Sequence, residues 1–211
     1  MFKEHFEKSA EDYRRFWQEL CEKYPGWTAD FVYRNCEPPA EFMAETGARI
    51  LEAHTITVLT NETFNHVNYA NEAGVTLVTA ENFHIFAKLH ENIDSDFAYP
   101  NARIAKDMNR WRIFMQGSAY VMMSFWNDEP EIFALEISSP EEGALLLATA
   151  ADYAFSKGNA KLDFFVDKDR PHEMEAALKT GFTVTGKSIA YRVDSIGSKE
   201  INKTERKEEP V

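Results

Sequence analysis

Ala119-Tyr120-Val121-Met122-Met123-Ser124-Phe125-Trp126 and, beyond Asn127-Asp128-Glu129-Pro130, Glu131-Ile132-Phe133-Ala134-Leu135-Glu136-Ile137 decide how this 211-residue chain is read. Both stretches are rich in β-branched and aromatic residues, and the residues between them form turns. A third run, Trp111 to Gln116, precedes them and is separated only by Gly117-Ser118. Short connections of this kind join neighbouring antiparallel strands, so the three runs predict a meander.

Working outward, the hydrophobic period changes after residue 137. Glu141 to Lys157 predicts a helix with Leu145, Leu146, Thr149, Ala150 and Tyr153 turned inward and Gly158 closing it. Leu162-Asp163-Phe164-Phe165-Val166 is nearly continuous in apolar character, as expected of a central strand covered on both faces. A helix from Pro171 to Lys179 ends at Gly181, and strands follow at Phe182 to Val184 and Ser188 to Val193. Upstream of the meander, Val75 to Val78 predicts a short strand. Thr79 then caps a helix carrying Phe83, Phe86, Ala87 and His90 on one face, and a second helix runs from Ala102 to Arg110.

The first 74 residues are less regular. Phe2, Phe6, Tyr13, Phe16, Trp17, Leu20 and Tyr24 recur at helical steps, so residues 2–24 predict an amphipathic helix stopped by Pro25-Gly26. Its apolar stripe must cover the main sheet or a second subunit. Ala40 to Ile50 predicts a short helix, His54 to Thr60 a strand, and Asn61 to Gly74 a loop. From Ser195 the chain is charged and poor in apolar side chains, which predicts disorder. The expected division is therefore 1–74, 75–194 and 195–211.

Composition narrows the function classes. Hydrophobic residues make up 44% and aromatics 13%, enough for a real core. A net charge of −12 opposes phosphate backbones and leaves room for cationic substrates, so a nucleic-acid partner is not expected. The N-terminus lacks a continuous apolar segment and no run approaches a membrane span, so a cytoplasmic, membrane-free protein is expected. Cys21 and Cys36 do not suggest a disulfide-stapled fold. His84 and His90 stand six apart and share no ligand face, Asp94-Ser95-Asp96 lacks the rest of a calcium loop, and no metal is expected.

The order strand, helix, helix, meander, helix, strand, helix, strand over residues 75–193 resembles the GNAT superfamily of N-acetyltransferases. The likeness rests on Tyr120 to Phe125 with Ile132 to Ile137, on Leu162 to Val166, and on Ala177-Leu178-Lys179-Thr180-Gly181-Phe182, whose Gly-Phe pair resembles the family's closing element. It implies an α/β (α+β) fold with a mixed, mostly antiparallel sheet flanked by helices, here with an N-terminal helical extension. It also implies acetyl-CoA as cosubstrate, in a cleft where the fourth and fifth strands diverge. Leu135, Glu136 and Ile137 would meet the pantetheine arm, and Gly143, Ala144 and Leu145 the pyrophosphate at a helix N-terminus. The acceptor would be a small-molecule or protein amine, and the packing stripe leaves room for a homodimer.

Glu136, at the end of the presumed fourth strand, is the candidate general base, and Tyr191 in the last strand the candidate proton donor. Two departures stand out. Ser138-Ser139-Pro140-Glu141-Glu142-Gly143 has one glycine and two carboxylates where the family has a Gln/Arg-x-x-Gly-x-Gly/Ala loop. Ala177 stands where many members carry a tyrosine. Glu141 and Glu142 are also good first-turn residues for any helix, because they complement its dipole. Two readings follow: an N-acetyltransferase, or a binding or structural module of the same fold that has lost the activity.

Overall fold

The meander forms as its sequence dictates. In the computed structural model, which describes residues 10–65, 74–91, 99–126 and 129–196, β4 (Trp111–Gln116), β5 (Ala119–Trp126) and β6 (Glu129–Glu136) pair antiparallel in succession. The other strands are β1 (Ala29–Arg34), β2 (Arg49–Thr60), β3 (Thr76–Leu77), β7 (Lys161–Asp167) and β8 (Thr183–Val193). Hydrogen bonding orders them β1-β8-β2-β7-β6-β5-β4-β3. Of the pairs from β2 to β3 in that order, only β6–β7 is parallel. The helices are α1 (Ala10–Lys23), α2 (Ala40–Thr46), α3 (Phe83–His90), α4 (Asn101–Lys106), α5 (Pro140–Ser156) and α6 (Pro171–Thr180).

By contact density the chain divides into His54–Ser188 and a second unit made of Met1–Ala53 with Ile189–Val211. In the first, alternation along the strands sends side chains to two separate cores. One face packs Val121, Met123, Ile132, Leu135, Leu162, Phe164 and Val166 against the buried side of α5 and α6. The other packs Ile113, Tyr120 and Met122 against Phe86 of α3 and Ile104 of α4. Along β7 Leu162, Phe164 and Val166 are buried while Asp163 and Phe165 are partly buried, so one face is covered more closely than the other.

Gly181 ends α6 with a left-handed φ of 105°, and a Cβ there would lie 2.0 Å from the Thr63 carbonyl oxygen. Only glycine lets the two backbones approach this closely. The adjacent Asn65 N–H donates to the Thr180 carbonyl at 3.0 Å. The expected strands at 182–184 and 188–193 are one continuous strand, β8.

In the second unit, α1 lays Trp17 against Phe42 of α2 and Phe31 of β1, with Val193 and Ile196 completing a small aromatic core. Tyr13, Leu20 and Tyr24 share that face as their spacing predicts. Phe2 and Phe6 lie outside the described residues, as does most of the expected loop at 61–74. The sequence did not anticipate β1. Paired charges, Arg192 with Asp30 and Arg49 with Asp194, join elements of this unit.

Candidate functional site

In the adjacent parallel pair β6–β7 the two strands send their carboxyl ends the same way, each followed by a helix. Such crevices are where open α/β sheets place ligands. Register pairing between the strands is limited to Glu131–Asp163 and Ile132–Phe164, and beyond these Phe133–Glu136 and Phe165–Asp167 continue without register partners across the gap. The ladder between the two strands ends there. A β-bulge lies at the same point: Met122 faces Ala134 and Met123 faces Ile132, leaving Phe133 as the extra residue. Phe133 and Ala134 therefore both turn toward the α3/α4 core, and Leu135 returns to the α5 core. Glu136 ends opposite Tyr120 in the β5–β6 ladder.

Around this point the structure gathers groups that the sequence kept far apart. Arg170, the residue before α6, places one guanidinium nitrogen 3.5 Å from Glu136 and 3.4 Å from Glu173. Glu173 is only 8% exposed, and burial pushes its carboxyl up to about 7 in spite of the Arg170 charge. Behind Glu136, the fully buried Tyr120 hydroxyl lies 2.9 Å from His90 Nδ1. His90 Nε2 is 3.3 Å from the Tyr99 carbonyl, which can only accept, so Nε2 carries the hydrogen and Nδ1 receives the Tyr120 hydroxyl proton. Burial lowers the His90 pKa and keeps the ring neutral. Burial, then the nearby Glu136 charge, raises that of Tyr120.

The first turn of α5 is where the resemblance would seat a diphosphate, and such a site needs uncommitted N–H groups in a positive field. The chain uses those groups itself. Ser139 caps the helix by accepting from the Glu142 N–H at 3.3 Å, and the Gly143 N–H donates to the Ser139 carbonyl at 3.1 Å. The Glu142 carboxylate turns back to accept from both the N–H and the hydroxyl of Ser138, each at 2.8 Å. Pro140 has no N–H to offer. Glu141 pairs with Lys179 of α6, which lowers its pKa, and it also accepts from its own N–H. Two carboxylates thus stand where phosphate charge would have to enter, and the residues present do not fit a diphosphate.

Gly143 has a different explanation. A Cβ on it would lie 2.7 Å from both the Ala176 Cβ of α6 and the Ile137 Cδ1. The glycine lets α5 and α6 pack closely, with Ile137 laid over the contact. Ala144 is buried in the α5 core and Leu145 is half-exposed. Leu135, Glu136, Ile137, Gly143, Ala144 and Leu145 all lie at the β6–α5 junction. Tyr191 belongs to the other unit, where it is 8% exposed with its ring edge-on to Tyr33 at 5.7 Å. Ala177, in the place of the family's tyrosine, is fully buried.

Arg170, Glu173, His90 and Tyr120 were not anticipated. Pro171 marked the start of α6, but nothing in the sequence signalled that Arg170 would reach back to β6. Among the described residues, no group of three or more His, Cys, Asp or Glu side chains could hold a metal ion, and no helix is long and apolar enough to cross a membrane.

No protein-family model matches the chain, and no curated protein matches it by sequence. Solved structures do match in three dimensions. A conserved protein of unknown function from Staphylococcus epidermidis superposes with a TM-score of 0.62 at 13% identity, over 88% of this chain and 79% of that one. A tandem GNAT protein from the clavulanic acid biosynthesis pathway gives 0.59 at 15% identity, over 89% and 70%. A GCN5-related N-acetyltransferase from Sphaerobacter thermophilus gives 0.57 at 14% identity, over 86% and 64%.

Proposed function

We propose that this chain, which has the fold of the GCN5-related N-acetyltransferases, is a binding or structural module that does not take acetyl-CoA through the first turn of α5. The reading rests on the Glu142 carboxylate, held by the Ser138 N–H and hydroxyl at 2.8 Å, in the turn where the resemblance would seat a diphosphate. A coenzyme would have to displace that carboxylate, break a cap, and bring its own negative charge beside Glu141 and Glu142. Isothermal titration with acetyl-CoA tests this directly. The expected result is no saturable heat at about 1 mM ligand, whereas micromolar binding, about 8 kcal/mol, would overturn the reading.

A second reading, acetyl transfer to a small-molecule or protein amine, has its own support. The end of the β6–β7 ladder and the bulge at Phe133 both lie within one short stretch of β6 before Glu136. In that reading Glu136 is the base and Tyr191 the proton donor. Single-turnover acetylation of a mixed panel of amines would favour it if product formed and Glu136→Gln abolished it.

A further inference from the structure

We propose that two copies of this chain pair edge to edge through β1, antiparallel about a two-fold axis at Val32. β1 is the terminal strand of the order, so one of its edges has no strand partner among the described residues. Unpaired N–H and C=O groups along such an edge are a template for another strand. The sequence Ala29-Asp30-Phe31-Val32-Tyr33-Arg34 is complementary to itself when reversed about Val32. Asp30 then faces Arg34 of the second copy, Arg34 faces that copy's Asp30, and Val32, half exposed at 50%, meets its equivalent.

The row of charge beside β1 supports the same register. Arg192 of β8 donates through Nε and Nη2 to the two Asp30 oxygens at 2.7 and 2.8 Å. The Glu52 carboxylate of β2 adds to the field on Arg192. Signs thus alternate from β2 through β8 to β1, and the row reaches the edge on a carboxylate. Arg34 of a second copy continues the alternation. Edge charges commonly protect a strand from pairing. Here they select one register instead, because parallel pairing would set Asp30 beside Asp30 and Arg34 beside Arg34. The inference concerns only the Met1–Ala53 and Ile189–Val211 unit and stands apart from the reading of the β6–β7 crevice.

Sedimentation velocity on the full chain tests it through a charge swap. Wild-type chain should sediment as a dimer. Arg34→Asp, which leaves the Asp30–Arg192 pair intact, should weaken self-association by about tenfold or more, since two symmetry-related pairs become repulsive at once. Asp30→Arg should do the same, and an equimolar mixture of the two variants should recover the dimer, because every 30–34 contact in the mixed pair joins opposite charges. A wild-type chain that stays monomeric up to about 1 mM would overturn the proposal. So would a dimer indifferent to Arg34→Asp, or a mixture of folded variants that remains monomeric.

Discussion

Replacing Gly143 with alanine separates a packing role from a ligand role. The new Cβ would sit 2.7 Å from the Ala176 Cβ and the Ile137 Cδ1, where unbonded carbons prefer about 3.5–4.0 Å. Ile137 Cδ1 is the end of a flexible side chain and can swing away. The Ala176 Cβ is fixed to the α6 backbone, so relief there requires the two helices to separate. Overpacking of this kind costs about 1–3 kcal/mol, while alanine in a helix gains about 1 kcal/mol over glycine. The net expectation is a loss of up to about 2 kcal/mol, or up to about 4–8 °C in Tm for a chain of this size. Urea denaturation of Gly143→Ala, Ala176→Gly and the double variant measures the coupling. The double variant should recover about 1 kcal/mol relative to the sum of the singles. If Gly143→Ala raised Tm, or if Ala176→Gly gave no relief, the close helix contact would not be what requires glycine at 143.

Three further expectations follow from the same geometry. Ser139→Ala and Glu142→Ala should each destabilise the chain by about 1 kcal/mol, and the double variant by less than the sum, because both residues serve one cap; chemical denaturation at neutral pH reads this. Glu173 keeps a proton in the folded chain that the unfolded chain releases near 4.5. Its contribution is therefore intact below about pH 4.5 and is lost as pH rises through about 7, and Glu173→Gln should flatten the melting temperature over that window. His90 acts with the opposite sign. Its folded pKa lies below its ordinary value, so stability should fall as pH drops below about 6.5, and His90→Gln should remove that acid-side slope.

Much of the fold was legible because it rests on local rules. Gly117-Ser118 sets one hairpin, Pro171 and Gly181 bracket α6, and the spacing of Tyr13, Trp17 and Leu20 fixes the buried face of α1. What escaped depended on contacts between distant segments. Ala29–Arg34 carries Asp and Arg on its exposed face, so its strand character comes from pairing rather than from an apolar pattern. Thr79 was expected to cap α3. Instead its N–H donates to the Asn82 side chain at 2.6 Å, and the helix begins three residues later than that cap required. The apolar run at β7 was read as covered on both sides, and the structure buries Leu162, Phe164 and Val166 fully and Phe165 in part.

The site was legible to a similar depth. Glu141 and Glu142 were recognisable as first-turn residues, and the structure shows what that implies: the turn is satisfied from within. Gly143 looked like the remnant of a phosphate loop, but only the position of Ala176 reveals why a side chain is excluded. Glu136 was singled out for its place at a strand end, and β6 does end there. Tyr120, Arg170 and Glu173 around it, and His90 on Tyr120, come together through a bulge, a cross-strand register and a helix start, none of which the sequence specifies by itself.

The most direct test of the central claim is the response of the backbone amides of Ser138, Glu142 and Gly143 in a ¹⁵N-¹H spectrum when acetyl-CoA or inorganic pyrophosphate is added. Amides already held by Ser139 and Glu142 should not shift at any concentration up to about 1 mM. Saturable, localised shifts of those resonances would show that the turn accepts a diphosphate and that its own carboxylates do not close it.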